Sequence, residues 1–211
     1  MPKPLPKKRK NVDEGTVVSK ITIDWRDSGI LSEARRQGLH ETCWALATVD
    51  CVESLYKQKF KHDIRLSAQE LLNFCREASP RCALEYIKDH GIVTEEKCPY
   101  LGTQIKDKGV WEDLWVERNE FSVAISSFDY LKWLETTNGR FINKLESHAF
   151  LLAGEGIEAE DGDILGYYIV KSSWGDVWAQ KGFGRIHRDS HIVIKVWYPI
   201  LFDAPVPEIH L

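Results

Sequence analysis

The sequence predicts an α+β protein of two lobes, with helices first and strands after. Two observations carry this. From residue 43 to about 90 apolar side chains recur at helical spacing, and beyond about 120 they give way to short runs rich in branched and aromatic residues. Helices grouped ahead of strands do not alternate with them, which excludes a parallel α/β fold. At 211 residues the chain is long enough for one sizeable domain or two small lobes around a shared interface.

Each element has a local reason. In TCWALATVDCVESLYKQKF the apolar positions are Ala45, Thr48/Val49, Val52, Leu55/Tyr56 and Phe60, a helical stripe with Cys51 on or near it. Ser67-Ala-Gln-Glu70 ahead of Leu71 and Leu72 is a capping box that opens a second helix. A third is expected from about Cys82 to His90, stopped by Gly91. FSVAIS, HAFLLAGEG, GYYIVKSSW, GFGRIHR and HIVIKVWYPI read as strands. A short helix is expected at roughly Phe128 to Glu135, followed by a turn at Asn138-Gly139. The acidic EAEDGD is read as a solvated strand connection, and no internal repeat is visible. The expected organisation is a disordered basic tail over 1–20, a helical lobe over 21–112 and a strand-rich lobe over 113–211.

Composition narrows the function classes. A net charge of -4 gives no reason to expect nucleic acid across the surface. No run of 18 apolar residues is present, so no membrane partner is expected. CxxC pairs, HExxH and P-loop strings are absent, which leaves metal sites and cofactors without support in the sequence. Five cysteines, an odd number without a secretory signal, suit a reducing compartment with mostly free thiols. PKKRK, from Pro6 to Lys10, is either a solvated tail or a nuclear-import signal. The expected location is intracellular, in the cytosol or nucleus.

The chemistry centres on Cys43, in QGLHETCWALA. A cysteine is most often a small buried hydrophobe. At a helix start, however, the backbone N–H groups favour a thiolate, the reactive form. A nucleophile also needs a base, an orienting group and oxyanion donors, and seven histidines leave the base open on composition alone.

IDWRDSG…RRQGLHETCWALA, LSAQELLNFC, HAFLLAGEG, YYIVKSSWGDVWAQKGFGRI and WYPI, in that order, resemble blocks of the mature papain-like cysteine proteases. The resemblance covers roughly Ile23 to Ile200 and implies a two-lobe fold, a helical lobe and an antiparallel β-rich lobe with the cleft between them. It implies Cys43 as nucleophile, Gln37 as an oxyanion donor, His148 as general base and Trp174 as the indole shielding that histidine. Amide donor, thiol at a helix start and imidazole opening a strand are also the parts acyl transfer requires.

Four departures from the family pattern stand out. Ser172, in KSSWG, replaces the asparagine that fixes the histidine ring. A serine hydroxyl can also accept, but it is shorter by about one bond, so direct contact and a water bridge both stay open. Before the nucleophile, His40 stands for a half-cystine and Glu41 for a glycine that leaves room for substrate. Glu41 and Thr42 are therefore expected at the substrate side, with the Glu41 carboxylate opposing thiolate formation. The glycine-rich segment that pairs with substrate backbone is missing between Cys75 and Cys82. Cys43 and His148 lie 105 residues apart, against about 130 or more in the family, through shortening between Tyr100 and Phe121. Of the family's disulfides only Cys75 with Cys98 could form, and a reducing compartment leaves even that open.

The leading functional expectation is a weakened cysteine peptidase acting on peptide or protein substrates, with Ser172 in place of the asparagine. The alternative is a catalytically retired relative kept as a binding module. A deubiquitinase or transglutaminase is a third, against which the KSSWGDVW and DWR blocks speak. Oligomeric state is not legible.

Overall fold

The longest helix explains most of the architecture. In the computed structural model, which describes residues 19–105, 122–132, 148–160, 163–190 and 195–201, the elements follow in the order β1 (Ser19–Asp24), α1 (Cys43–Phe60), α2 (Ala68–Phe74), α3 (Pro80–His90), β2 (Ile125–Lys132), β3 (Leu151–Glu160), β4 (Asp163–Lys171), β5 (Phe183–His187) and β6 (Lys195–Leu201). Helix α1 packs on α2, α3, β3 and β6. Its expected stripe, with Ala45, Val49, Val52 and Tyr56, joins Leu66, Leu71, Leu84, Ile87 and Ile92 in the main core. The face flanking this stripe is buried as well, and it carries charge: Asp50 and Glu53 are each 3% exposed.

Those two carboxylates meet cations from the strand side. Lys171, at the end of β4, places Nζ 2.8 Å from Asp50 Oδ2 and donates to Ser32 Oγ at 2.9 Å. Arg35 pairs with Glu53 and donates to the Leu66 carbonyl at 3.1 Å. Burial pushes the Glu53 carboxyl up to about 7, with Arg35 opposing that rise and Asp50 adding to it. Removing one member of such a cluster would strand a buried charge.

The helices otherwise start where the sequence places caps. Ser67 Oγ accepts from the Glu70 amide at 3.0 Å, but the reciprocal half of the capping box is not made. The Glu70 carboxylate instead accepts from Tyr86 Oη at 2.9 Å and the Val93 amide at 2.8 Å, joining α2 to α3. Helix α3 begins two residues earlier than expected. Ser79 caps it by accepting from the Cys82 amide at 3.2 Å, and Pro80 fits the first turn, where its missing N–H costs nothing. Gly91, at φ 71°, ends it as expected.

Strands β1, β3, β4 and β5 form an antiparallel sheet in the order β1-β3-β4-β5. Along β4 side chains alternate between faces: Tyr167 and Ile169 pack with Ala153, while Tyr168 and Val170 pack with Leu152 and Trp178. The first and last described strands cross over between the lobes. Strand β1 joins the sheet through β3, and β6, paired with β2, packs on α1 and α3.

Two local expectations are corrected. Phe128 to Lys132 is strand, not helix, because residues 125–132 pair along their length with β6, in a register running from Ile125 opposite Leu201 to Lys132 opposite Lys195. Residues 133–135 and the Asn138-Gly139 turn lie outside the described residues. Within EAEDGD, residues 158–160 and 163 are strand too, with Glu160 paired to Asp163, and residues 161 and 162 lie outside the described residues. The tail over 1–18, with PKKRK, and residues 106–121 are likewise outside the described residues.

Candidate active site

Cys43 is the first residue of α1, with Thr42 at the cap position. The Ala45 and Leu46 amides close the first turn onto the Thr42 carbonyl at 3.1 and 3.2 Å. The sulfur thus sits at the positive end of the helix dipole, only 6% of the residue being exposed. The start of the second lobe's sheet reaches it there: the Ala149 amide donates to Cys43 Sγ at 3.3 Å, one residue past His148.

His148 meets Ser172 directly, Nε2 to Oγ, at 3.0 Å. No water bridge is needed. Ser172 is 2% exposed, and its backbone N–H is held by the Gly182 carbonyl at 2.9 Å. Trp174 lies flat on the imidazole, ring centroids 4.4 Å apart at 16°, and Trp178 sets its edge against Trp174 at 5.0 Å. Burial holds the His148 pKa below the ordinary histidine value.

Gln37 arrives by a short antiparallel pairing between residues 35–37 and 173–175. The Gln37 amide donates to the Ser173 carbonyl at 2.8 Å, and the Gly175 amide to the Arg35 carbonyl at 2.9 Å. Gly182 permits the approach. At φ +86° it lies so close that an added Cβ would sit 2.1 Å from Ala34 Cβ. The Gln37 side chain is fixed from both ends: Ser173 Oγ donates to Oε1 at 2.6 Å, and Nε2 donates to the His40 carbonyl at 2.7 Å.

The loop before the nucleophile is pinned by Tyr100. Its hydroxyl donates to the Gln37 carbonyl at 3.2 Å and lies 2.5 Å from Thr42 Oγ1. Thr42 is 5% exposed, so its hydroxyl serves this contact instead of facing substrate. The His40 ring packs on Gly102, where an added Cβ would come within 2.6 Å of Cδ2. Glu41 is exposed, so water screens its charge from the sulfur.

Cys43, His148, Ser172, Gln37 and Trp174 therefore converge, and the group has the parts for thiol acyl transfer. Sequence reasoning did not single out Ser173, Tyr100 or Trp178 as site residues. Ser173 was within reach, lying between Ser172 and Trp174 in the same motif. Cys75 and Cys98 are not bridged; both are free thiols. Burial first, and then the Cys82 thiol, pushes the Cys75 pKa up. Cys98 is raised by burial, against a hydrogen bond with Ser67. Cys51, in the interior of α1, is pushed up to about 12 by burial and the adjacent Asp50 charge. Cys82 is in the first turn of α3. Between α2 and α3 residues 76–78 are exposed, and no glycine lies there. No group of three or more metal-ligating side chains is found among the described residues.

Comparison with known proteins agrees with this geometry. A cathepsin L-like protein of Caenorhabditis elegans is 29% identical over 217 residues, spanning 85% of this chain and 64% of that protein. A cysteine proteinase of Theileria annulata is 32% identical over 211 residues, 86% of this chain and 47% of that one. The chain thus spans about half to two thirds of the length of these relatives. The solved structure of the bromelain protease from Ananas comosus, in complex with the E64 inhibitor, superposes with a TM-score of 0.64 at 25% identity, covering 87% of this chain and 99% of that one. The model of the papain family cysteine proteases matches residues 20–130 and 116–200. With nearly the whole described chain inside that match, this protein belongs to the papain family of cysteine proteases.

Proposed function

We propose that the chain is a cysteine peptidase that hydrolyses peptide bonds through a thioester acyl-enzyme. Cys43 Sγ attacks the substrate carbonyl carbon while His148 takes the thiol proton. The tetrahedral oxyanion is held by the Cys43 N–H and Gln37 Nε2. Collapse breaks the C–N bond, and His148 gives its proton to the leaving amine. Water, deprotonated by His148, then splits the thioester, releasing the acid and regenerating the thiol. Ser172 orients the imidazole and Trp174 covers it.

The observation that carries this reading is the direct hydrogen bond from His148 to Ser172 at 3.0 Å. It supplies the orienting partner that the change from the family's asparagine to Ser172 left open in the sequence. One observation favours the binding-module alternative: Gln37 Nε2 already donates to the His40 carbonyl. An epoxide probe that alkylates only a competent thiolate separates the two. It is expected to alkylate the wild-type protein at Cys43 and to leave Cys43→Ala unlabelled. Labelling at Cys51, or none on folded protein, would remove the peptidase reading.

A further inference from the structure

We propose that Cys75 and Cys82 are a redox-active thiol pair that closes into a disulfide across the connector between α2 and α3. This is not the pairing of Cys75 with Cys98 that the family resemblance implies, and it does not depend on the peptidase reading.

The packing of the two helices brings the thiols together. On α2, Glu70 and Phe74 lie one turn apart on one face. Both meet Tyr86 of α3: its Oη donates to Glu70 Oε1 at 2.9 Å, and its ring stacks on Phe74 with centroids 5.8 Å apart at 14°. One turn back from Tyr86 the same face of α3 carries Cys82, and one residue on from Phe74 the end of α2 carries Cys75. A thiol therefore stands on each side of this junction. Both backbones are held: the Cys75 amide donates to the Leu71 carbonyl at 2.9 Å, and the Cys82 amide to Ser79 Oγ at 3.2 Å. The Cys75 pKa, raised first by burial, is raised further by the Cys82 thiol, through charge and through a hydrogen bond. Neither thiol is bridged and both are half-buried, whereas Cys98 is buried.

Burial makes Cys75 the poorer attacking group, so Cys82 reacts first. With a low-molecular-weight disulfide as oxidant, the Cys82 thiolate attacks one sulfur and expels a thiolate, leaving a mixed disulfide. Cys75 then loses its proton and attacks Cys82 Sγ, expelling the second thiolate. The two protein thiols are oxidised to one disulfide, the small disulfide is reduced to two thiols, and the two protons pass to the expelled thiolates. The bond ties the connector over 76–81 to both helices.

The test equilibrates the folded wild-type chain with reduced and oxidised glutathione, blocks the remaining thiols with N-ethylmaleimide and maps tryptic peptides by mass spectrometry. Cleavage places Cys75 in 66–76, Cys82 in 82–88, Cys98 in 98–106, and Cys43 with Cys51 in 37–57. Peptides 66–76 and 82–88 should appear joined, should separate on reduction, and should stay unjoined in Cys82→Ser and in Cys75→Ser. A separation of seven positions also lets these thiols meet by chance in an unfolded chain, so the titration is repeated in concentrated urea. At a matched glutathione ratio the folded chain should hold about ten-fold or more of the joined over the reduced form than the unfolded chain does. Equal closure in urea would overturn the proposal, as would Cys75 joined to Cys98, or thiols that stay reduced in oxidised glutathione. Separate glutathione adducts on the two peptides without the cross-link would overturn it too.

Discussion

Ser172→Ala isolates the contact on which the proposed chemistry depends. The substitution removes one oxygen, 3.0 Å from His148 Nε2, and leaves the backbone bond from residue 172 to Gly182 in place. A hydrogen bond to a charged partner contributes about 1.5–3 kcal/mol, and each 1.36 kcal/mol is about ten-fold in rate. If the bond is made chiefly to the imidazolium, kcat/KM on a fluorogenic dipeptide amide should fall by about 10- to 150-fold. The ring pKa, already held low by burial, should move further down, because the charged form loses an acceptor. That shift is measurable from the His148 ring resonances during a pH titration. Ser172→Asn, which restores the family residue, is expected to give no gain. Its acceptor reaches one bond further into a contact already at hydrogen-bond distance, and Ser172 is only 2% exposed. The ring must be displaced, and overpacking of this kind costs about 1–3 kcal/mol. The reasoning is refuted if Ser172→Ala stays within three-fold of wild type, or if Ser172→Asn exceeds wild type by ten-fold.

Two further outcomes follow from the same structure. Glu53 is raised from 4.5 to about 7 in the folded protein, so the native state binds its proton more tightly than the unfolded chain does. Stability should therefore decline as pH rises from about 4.5 to 7, by about 3 kcal/mol at 1.36 kcal/mol per unit, and level off above. Denaturant titrations across that range should show the decline in wild type and a flattened profile in Glu53→Gln; a profile that rises over the same range contradicts the assignment. Tyr100→Phe deletes the hydroxyl shared by Gln37 and Thr42 and leaves a buried Thr42 Oγ1 without it. A loss of about 1–3 kcal/mol in chemical denaturation is expected, and a change below 0.5 would show that the pin holds nothing.

The sequence was most legible where structure is local. The helix that presents Cys43 follows from apolar spacing, the cap of α2 follows from Ser67 and the end of α3 from Gly91, whereas the Ser79-Pro80 start of α3 was passed over. Ser172 and Trp174 could be located because they share one motif with a backbone that pairs locally. What was missed depends on partners far along the chain. Strand β2 owes its conformation to β6, about seventy residues later, and nothing within SSFDYLK announces it. Ser173 reaches Gln37 across 136 positions and Tyr100 reaches Thr42 across 58. Asp50 and Glu53 lie off the apolar stripe of α1. They are buried because the second lobe brings Lys171 and the crossing segment brings Arg35, information that periodicity in α1 does not contain.

The Tyr100 pin also bears on how the nucleophile loop breathes. A covalent cross-link at the position of His40 would keep the loop near its place through any local opening. Here the loop is retained by a phenol, a packed imidazole and the Gln37 contacts, so its opening is a reversible equilibrium. Hydrogen bonds contribute about 0.5–1.5 kcal/mol each, so residues 38–42 should open well before the core of α1 does. Amide exchange in that stretch should be governed by local fluctuation, and exchange at Val49 and Val52 by global unfolding. Because no cross-link has to form, the loop's geometry should be the same under strong thiol reductant as without it. Whatever governs access to Cys43 then operates on a segment that can leave its seat and return without chemistry.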